Sequence, residues 1–155
     1  MRSRKGFTLI ELLIVVAIMG ILAAIAIPNL LSAIDRSRQK RSMSDIRNLG
    51  IAVQTYSVDS NFYPISTSMS TIASLDPVAM GIQPEHIKVA PTQDGWGGQY
   101  YYGSDAAGLG THYTIISYGK DRVVSSASAG PTGDFDCDII FQEGTFVAWP
   151  EGLQT

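Results

Sequence analysis

Cysteine is almost missing from this sequence. Cys137 is the only one in 155 residues, so no disulfide can close within the chain. Histidine is nearly as scarce, with His86 and His112 alone. No zinc-ligand spacing, H-E-x-x-H, G-x-S-x-G or Walker loop occurs, and Cys137 has no evident base beside it in sequence. The common hydrolase and nucleotide-binding chemistries therefore have no motif here. A basic excess is also lacking after the first third of the chain. Residues 62–155 hold three Lys/Arg against ten Asp/Glu, a balance of −7 that argues against nucleic-acid binding. No internal repeat is evident, and the D-x-[DN]-x-[DN]-G spacing of an EF-hand does not occur.

What the chain does have is one long apolar run. From Phe7 to Ile27 the only charge is Glu11, and only Thr8 and Gly20 otherwise interrupt the apolar side chains. As a helix these 21 residues rise roughly 31 Å, about the thickness of a bilayer's hydrocarbon core. Arg2, Arg4 and Lys5 precede the run. A secretory signal peptide would explain the basic start and the A-x-A pattern at Ala24-Ile25-Ala26, but the run is too long for a typical signal core. A plain membrane anchor would explain the length but not Glu11. A carboxylate within hydrocarbon costs about 2.5–3.5 kcal/mol, which makes it a candidate functional residue.

A third reading comes from the stretch Lys5-Gly6-Phe7-Thr8-Leu9-Ile10-Glu11, with Pro28 at the end of the run. This resembles the processing motif of type IV pilins and of the pseudopilins of type II secretion. The resemblance implies that a prepilin peptidase cuts between Gly6 and Phe7 on the cytoplasmic face and that the new amine of Phe7 is methylated. It also implies that Glu11 pairs with the N-terminal amine of a neighbouring subunit. A carboxylate buried among packed apolar helices is tolerable only when paired, and such a pair sets register. The alternative is a Glu that snorkels to the headgroups from one turn inside the membrane. Many type IV pilins close a C-terminal loop with a disulfide. This chain cannot, which leans toward the major pseudopilins.

Beyond the run, Pro28 is expected to kink the helix rather than end it. Leu30, Leu31 and Ile34 continue the pattern, and Met43, Ile46, Leu49, Val53 and Tyr56 follow at spacings of three and four. That stripe should pack on the rest of the chain. The basic cluster Arg36, Arg38, Lys40 and Arg41 lies on a solvated face, or meets anionic lipid or the acidic heads of other subunits. The helix should end within 57–61, before Phe62-Tyr63-Pro64. Residues 65–98 read as a connector with a short helix somewhere within 70–80. Strands are expected at 99–102, 112–118, 138–141 and 145–149, the last two joined by a three-residue loop, Gln142-Glu143-Gly144. His112 is expected to pack, and His86 to sit in an exposed turn. The tyrosine-rich strands suit a core better than a sugar site.

Three phrases in the second half also resemble those of the major pseudopilins. Asp94-Gly95-Trp96-Gly97-Gly98-Gln99-Tyr100 is similar to their Asp-Pro-Trp-Gly-Asn-Pro-Tyr, and should form a turn ending in a buried Trp. Ser117-Tyr118-Gly119-Lys120-Asp121 is similar to their Ser-x-Gly-x-Asp, and Asp138-Ile139 to their Asp-Ile, although Arg122 stands where the family usually has Gly. In that family the two acidic positions hold Ca²⁺. The resemblance therefore implies a calcium site at Asp121 and Asp138. Asp136 would add an oxygen on the same side if the segment is extended, and Asp134 is a further candidate. The bland alternative is a set of surface aspartates on a solvated loop.

The expected fold is α+β and pilin-like. Residues 1–6 are a leader, 7–61 a helix whose first part (7–27) spans the membrane or lines a filament core, and 62–155 a head with a small antiparallel sheet of three or four strands. The expected role is structural. The chain would form a homopolymeric filament, most simply the major pseudopilin of type II secretion, with a surface type IV pilus subunit or a membrane-anchored, non-polymerising binding domain as alternatives. Implied partners are other copies, the prepilin peptidase, an inner-membrane assembly platform, minor pilins or pseudopilins, and lipid before assembly. The implied place is the bacterial inner membrane with the head outside the cytoplasm, and then a periplasmic or extracellular filament.

Overall fold

A computed structural model describes residues 6–66, 68–105, 110–125 and 129–151. The leader reading therefore falls, except for Gly6, outside the described residues. Helix α1 runs Leu9–Ser60, with Pro28 inside it. The chain divides into two units, residues 1–34 and 35–155, taken here in turn.

From Leu9 on, the first unit is helix. Its large apolar side chains are exposed, from Phe7 at 84% to Leu31 at 57%. The segment is long and apolar enough to cross a membrane. Pro28 has no N–H, so the carbonyl four residues back loses its donor, yet helix continues past it. Asn29 donates its side-chain Nδ2–H to the Ile25 carbonyl at 3.1 Å, tightening the same turn.

The second unit begins with the rest of α1. Ile46, Leu49 and Val53 recur at helical spacing and are fully buried. They pack on Tyr100, Tyr102, Tyr113, Ile115, Ile139 and Phe141, so the expected stripe does face the sheet. The helix stops at Ser60 because Asn61 turns left-handed (φ 63°), its N–H still reaching the Ser57 carbonyl at 2.8 Å. Gly50 is where the sheet comes closest. A Cβ there would lie 2.3 Å from Phe141 Cε1.

Among the described residues the sheet has six strands, not three or four. They are β1 (Ser70–Thr71), β2 (Tyr101–Ser104), β3 (Tyr113–Ser117), β4 (Gly130–Thr132), β5 (Ile139–Gln142) and β6 (Thr145–Pro150), in the order β1-β2-β3-β5-β6-β4. Every pairing is antiparallel except β4 on β6. The two unexpected strands are the edges. β1 is a two-residue polar pair followed at once by the short helix α2 (Ile72–Leu75), capped by the Thr71 hydroxyl. β4 contains Pro131, which an edge tolerates and a central strand does not. β2 starts two residues later than expected, since Gln99 instead bridges to Gln93 and closes the turn before it.

The β5–β6 connection is also tighter than expected. Gln142 pairs with Thr145, leaving a two-residue turn of Glu143 (φ 48°) and Gly144 (φ 91°). Positive φ at both residues is the type I′ geometry that matches strand twist. Gly144 also lies against α1, where a Cβ would meet Gln54 Nε2 at 2.4 Å.

Candidate functional site

The N-terminal motif forms a capping box. Thr8 stands just before the first helical residue and Glu11 three residues on. The Thr8 hydroxyl accepts from the Glu11 N–H at 3.3 Å. In return Glu11 Oε2 accepts from the Thr8 N–H at 2.8 Å and from its hydroxyl at 2.7 Å. Two of the helix's orphan donors are thereby satisfied, and a negative group sits at the positive end of the helix dipole. The T-x-x-E spacing carries this signal in the sequence, a role for Glu11 distinct from both intersubunit pairing and snorkelling. Gly6 and Phe7, at the junction expected to be cut, are exposed and precede the helix. Among the described residues Glu11 Oε1 has no hydrogen-bond donor, so one carboxylate oxygen is free for another partner.

In the second unit, the Asp94–Gly98 turn is a rigid clasp on α1. Asp94 is buried, and its Oδ1 accepts from the N–H of Trp96 (2.9 Å) and of Gly98 (2.7 Å), while Oδ2 accepts from the Ser117 hydroxyl at 2.8 Å. Gly95 lies on the helix backbone. Its N–H donates to the Ser42 hydroxyl at 2.9 Å, and a Cβ would sit 2.4 Å from the Arg38 carbonyl oxygen. Trp96 is half-buried rather than buried, because its indole N–H reaches outward along α1 to Asp35 Oδ1 at 3.2 Å.

Asp35 also takes the Lys120 ammonium at 3.0 Å and lies 3.5 Å from Arg38. Burial opposes its ionisation, but Lys120, the Trp96 N–H and Arg38 outweigh burial and hold its carboxyl below the usual range. The same contact, helped by Asp136 and Asp134, raises the Lys120 ammonium above the ordinary lysine value. The loop after β3 is thus tied to α1 by charge and to the clasp by Arg122. That residue adopts a left-handed φ of 60°, where the family's usual Gly would sit without strain, and its guanidinium donates to the Trp96 carbonyl.

The three aspartates expected to share a metal do not come together. Asp138 is 2% exposed, with Oδ2 accepting from the Ser125 N–H at 3.1 Å and Oδ1 buried with no hydrogen-bond partner. Burial raises its carboxyl above the usual value, the Ser125 bonds oppose that, and Asp121 adds to it. Asp121 is thus close enough to act on Asp138 by charge. Asp136 lies in a turn. Residues 134–137 form a turn, with the Asp136 N–H on Asp134 Oδ1 and the Cys137 N–H on the Asp134 carbonyl, so the alternation of an extended strand is lost. Among the described residues no group of three or more His, Cys, Asp or Glu is placed to hold a metal.

Comparison with known proteins resolves the class. Residues 1–27 match the family described as prokaryotic N-terminal methylation motif, and residues 29–132 match type II secretion system (T2SS), protein G. The chain belongs to the type II secretion protein G family. Proteins named type II secretion system core protein G align with it at 36% identity in Klebsiella michiganensis (79% of this chain, 87% of that one). The Pseudomonas aeruginosa protein of that name aligns at 33% (77% and 86%), and that of Escherichia coli K12 at 29% (85% and 85%). No solved structure matches the chain.

Within this protein G member the histidines sit differently from expectation. His112 is exposed and pairs with Glu143 at the β5–β6 turn rather than packing. His86 is the packed one. Its side chain is 9% exposed, edge-on to Tyr56 and 3.9 Å from Asp59. Neither position could have been read from sequence, because each partner lies 27 or more residues away. The tyrosines are core: Tyr100, Tyr102 and Tyr113 are fully buried, and burial raises all three phenols.

Proposed function

We propose that this protein is the major structural subunit of a type II secretion pseudopilus and not an enzyme. The observation that carries it is a run whose apolar side chains from Phe7 to Leu31 are exposed, with a single carboxylate in the first turn of its helix. Such a surface is stable in a bilayer or against copies of itself, and nowhere in water. Hydrolysis of the Gly6–Phe7 bond by a prepilin peptidase would free an amine on Phe7 for methylation. The capping box holds Glu11 Oε2 within the subunit and leaves Oε1 for the amine of a neighbouring copy. The head would lie outside the cytoplasm, and the inner-membrane platform and minor pseudopilins would be further partners. Mass spectrometry of protein from membranes should find a start at methylated Phe7. An intact Met1 would overturn the reading.

A calcium ion fits the head at Asp121 and Asp138. The buried, unpartnered Oδ1 of Asp138 is the support, since an unpaired carboxylate oxygen is costly without a cation. Carbonyls of residues 122–125 and 129–137 would complete the oxygen set, and Asp136 sits in the 134–137 turn. The bound ion would supply positive charge that pins the loop.

A further inference from the structure

Charge along the head portion of α1 is sorted by end. Residues 35–47 carry Arg36, Arg38, Lys40, Arg41 and Arg47 against Asp35 and Asp45, and both acids are held locally, by Lys120 and Arg38 and by Arg41. Arg36 and Lys40 are four residues apart on one helix face, and among the described residues no carboxylate pairs with either. From residue 48 to residue 88 the only basic residue is the exposed Lys88, against the three acids Asp59, Asp76 and Glu85, a balance of −2. The fold sets Asp59 and the segment that carries Asp76 and Glu85 at the other end of the helix. Asp59 is in the last turn of α1, 3.9 Å from His86. Glu85 precedes His86 in sequence, and Gly81, in the segment opened by Asp76, lies on the Tyr56 ring. All three acids are exposed, beside exposed Val58 (78%) and Val78 (56%). Arg36 and Asp59 are about 35 Å apart along the helix.

We propose that these two ends dock on one another between copies: Asp59, Asp76 and Glu85 of one subunit meet Arg36 and Lys40 of another. This rests on the filament reading above. A contact between two different surfaces of the same chain propagates as an open helix unless its rotation closes a ring. Opposite net charge at the two surfaces favours that head-to-tail arrangement and opposes tail-to-tail or head-to-head pairing. The two valines give the acidic end apolar area to bury. Lipid headgroups could also take Arg36 and Lys40, but lipid gives the acidic end no partner.

The test is charge reversal in the full chain, expressed with its secretion machinery and scored by the sheared filament fraction. Arg36→Glu with Lys40→Glu should lower filaments at least tenfold, and Asp59→Lys with Asp76→Lys and Glu85→Lys should do the same. All five changes in one chain should restore filaments to within about threefold of the parent, because the two ends are again opposite in sign. Loss with the first set but not the second would assign the basic end to lipid or platform and overturn the proposal. Loss with both and no restoration would overturn it as well, as would no loss with either. A parent chain that makes no filaments would instead sink the filament reading itself. Independently of folding effects, Lys40→Cys with Glu85→Cys in a Cys137→Ser chain should give a disulfide-linked ladder on oxidation. Monomer alone would contradict the contact.

Discussion

Lys120 Nζ lies 3.0 Å from Asp35 Oδ2, joining the loop after β3 to the first turn of the head's helix. Asp35 also receives the Trp96 indole N–H and faces Arg38, so one carboxylate gathers three elements. Its folded pKa is depressed. The stability it contributes is present above the unfolded value, about 3.9, and disappears as pH falls through the lower folded value. Lys120 is raised, so its half of the pair is intact at all pH below the ordinary lysine range. Asp35→Asn should therefore melt earlier than the parent near neutral pH. The gap between the two Tm values should narrow below about pH 4. Thermal melts of the full chain in detergent across that range decide it, and a gap that does not change with pH would show that the charge is irrelevant.

Gly50 leaves room for the Phe141 ring, which is itself held edge-on by Phe146. Gly50→Ala removes a helix-interior glycine, a gain of about 1 kcal/mol. It also forces a methyl to 2.3 Å from Phe141 Cε1, and overpacking of a filled core costs about 1–3 kcal/mol. The ring is buried against Phe146 and Tyr113, so the clash should win and Tm should fall by about 4 °C. Adding Phe141→Leu should make the same alanine neutral or favourable. Two substitutions that simply add would show that the ring is not the obstacle.

The sequence announced the long helix, its apolar stripe and the central strands because each of these is periodic. Ile46, Leu49 and Val53 repeat at helical spacing, and Tyr113, Ile115 and Ser117 alternate inward along β3. The edges were illegible for the opposite reason. Ser70–Thr71 is too short to show a period, and Gly130-Pro131-Thr132 reads as a turn until β6 is beside it. Asp94 and Asp35 could be seen as acids, but not as hubs, since Ser117 and Lys120 reach them from 23 and 85 residues away. For Asp136 the condition was an extended segment, and residues 134–137 form a turn instead. The capping box was written in Thr8 and Glu11 and was overlooked because the carboxylate had a more specific job to explain.

Calcium should raise the Tm of the full chain, and chelation should reverse the rise. At a hundredfold excess over Kd the stabilisation is about 2.7 kcal/mol. Asp138→Asn and Asp121→Asn should each abolish the calcium-dependent shift. Asp136→Asn should keep it, since that side chain belongs to the turn facing Lys120. A shift that survives Asp138→Asn, or that only Asp136→Asn removes, would put the ion elsewhere or nowhere.

Glu11 has two roles that one substitution separates. Glutamine serves a capping box as glutamate does, because its carbonyl oxygen can accept the Thr8 N–H. It carries no charge, so it cannot form an ion pair with an amine. Glu11→Gln should leave the subunit as helical in membranes as the parent and should still remove filaments. Thr8→Val does the reverse, since it loses the cap, worth about 1 kcal/mol, and keeps the carboxylate. It should assemble, with a loosened first turn visible as faster amide exchange at residues 9–11. Glu11→Ala loses both functions and cannot tell them apart. Filaments from Glu11→Gln at the parental level would mean that Glu11 is a helix cap and nothing more, and the register between subunits would then have to come from the heads.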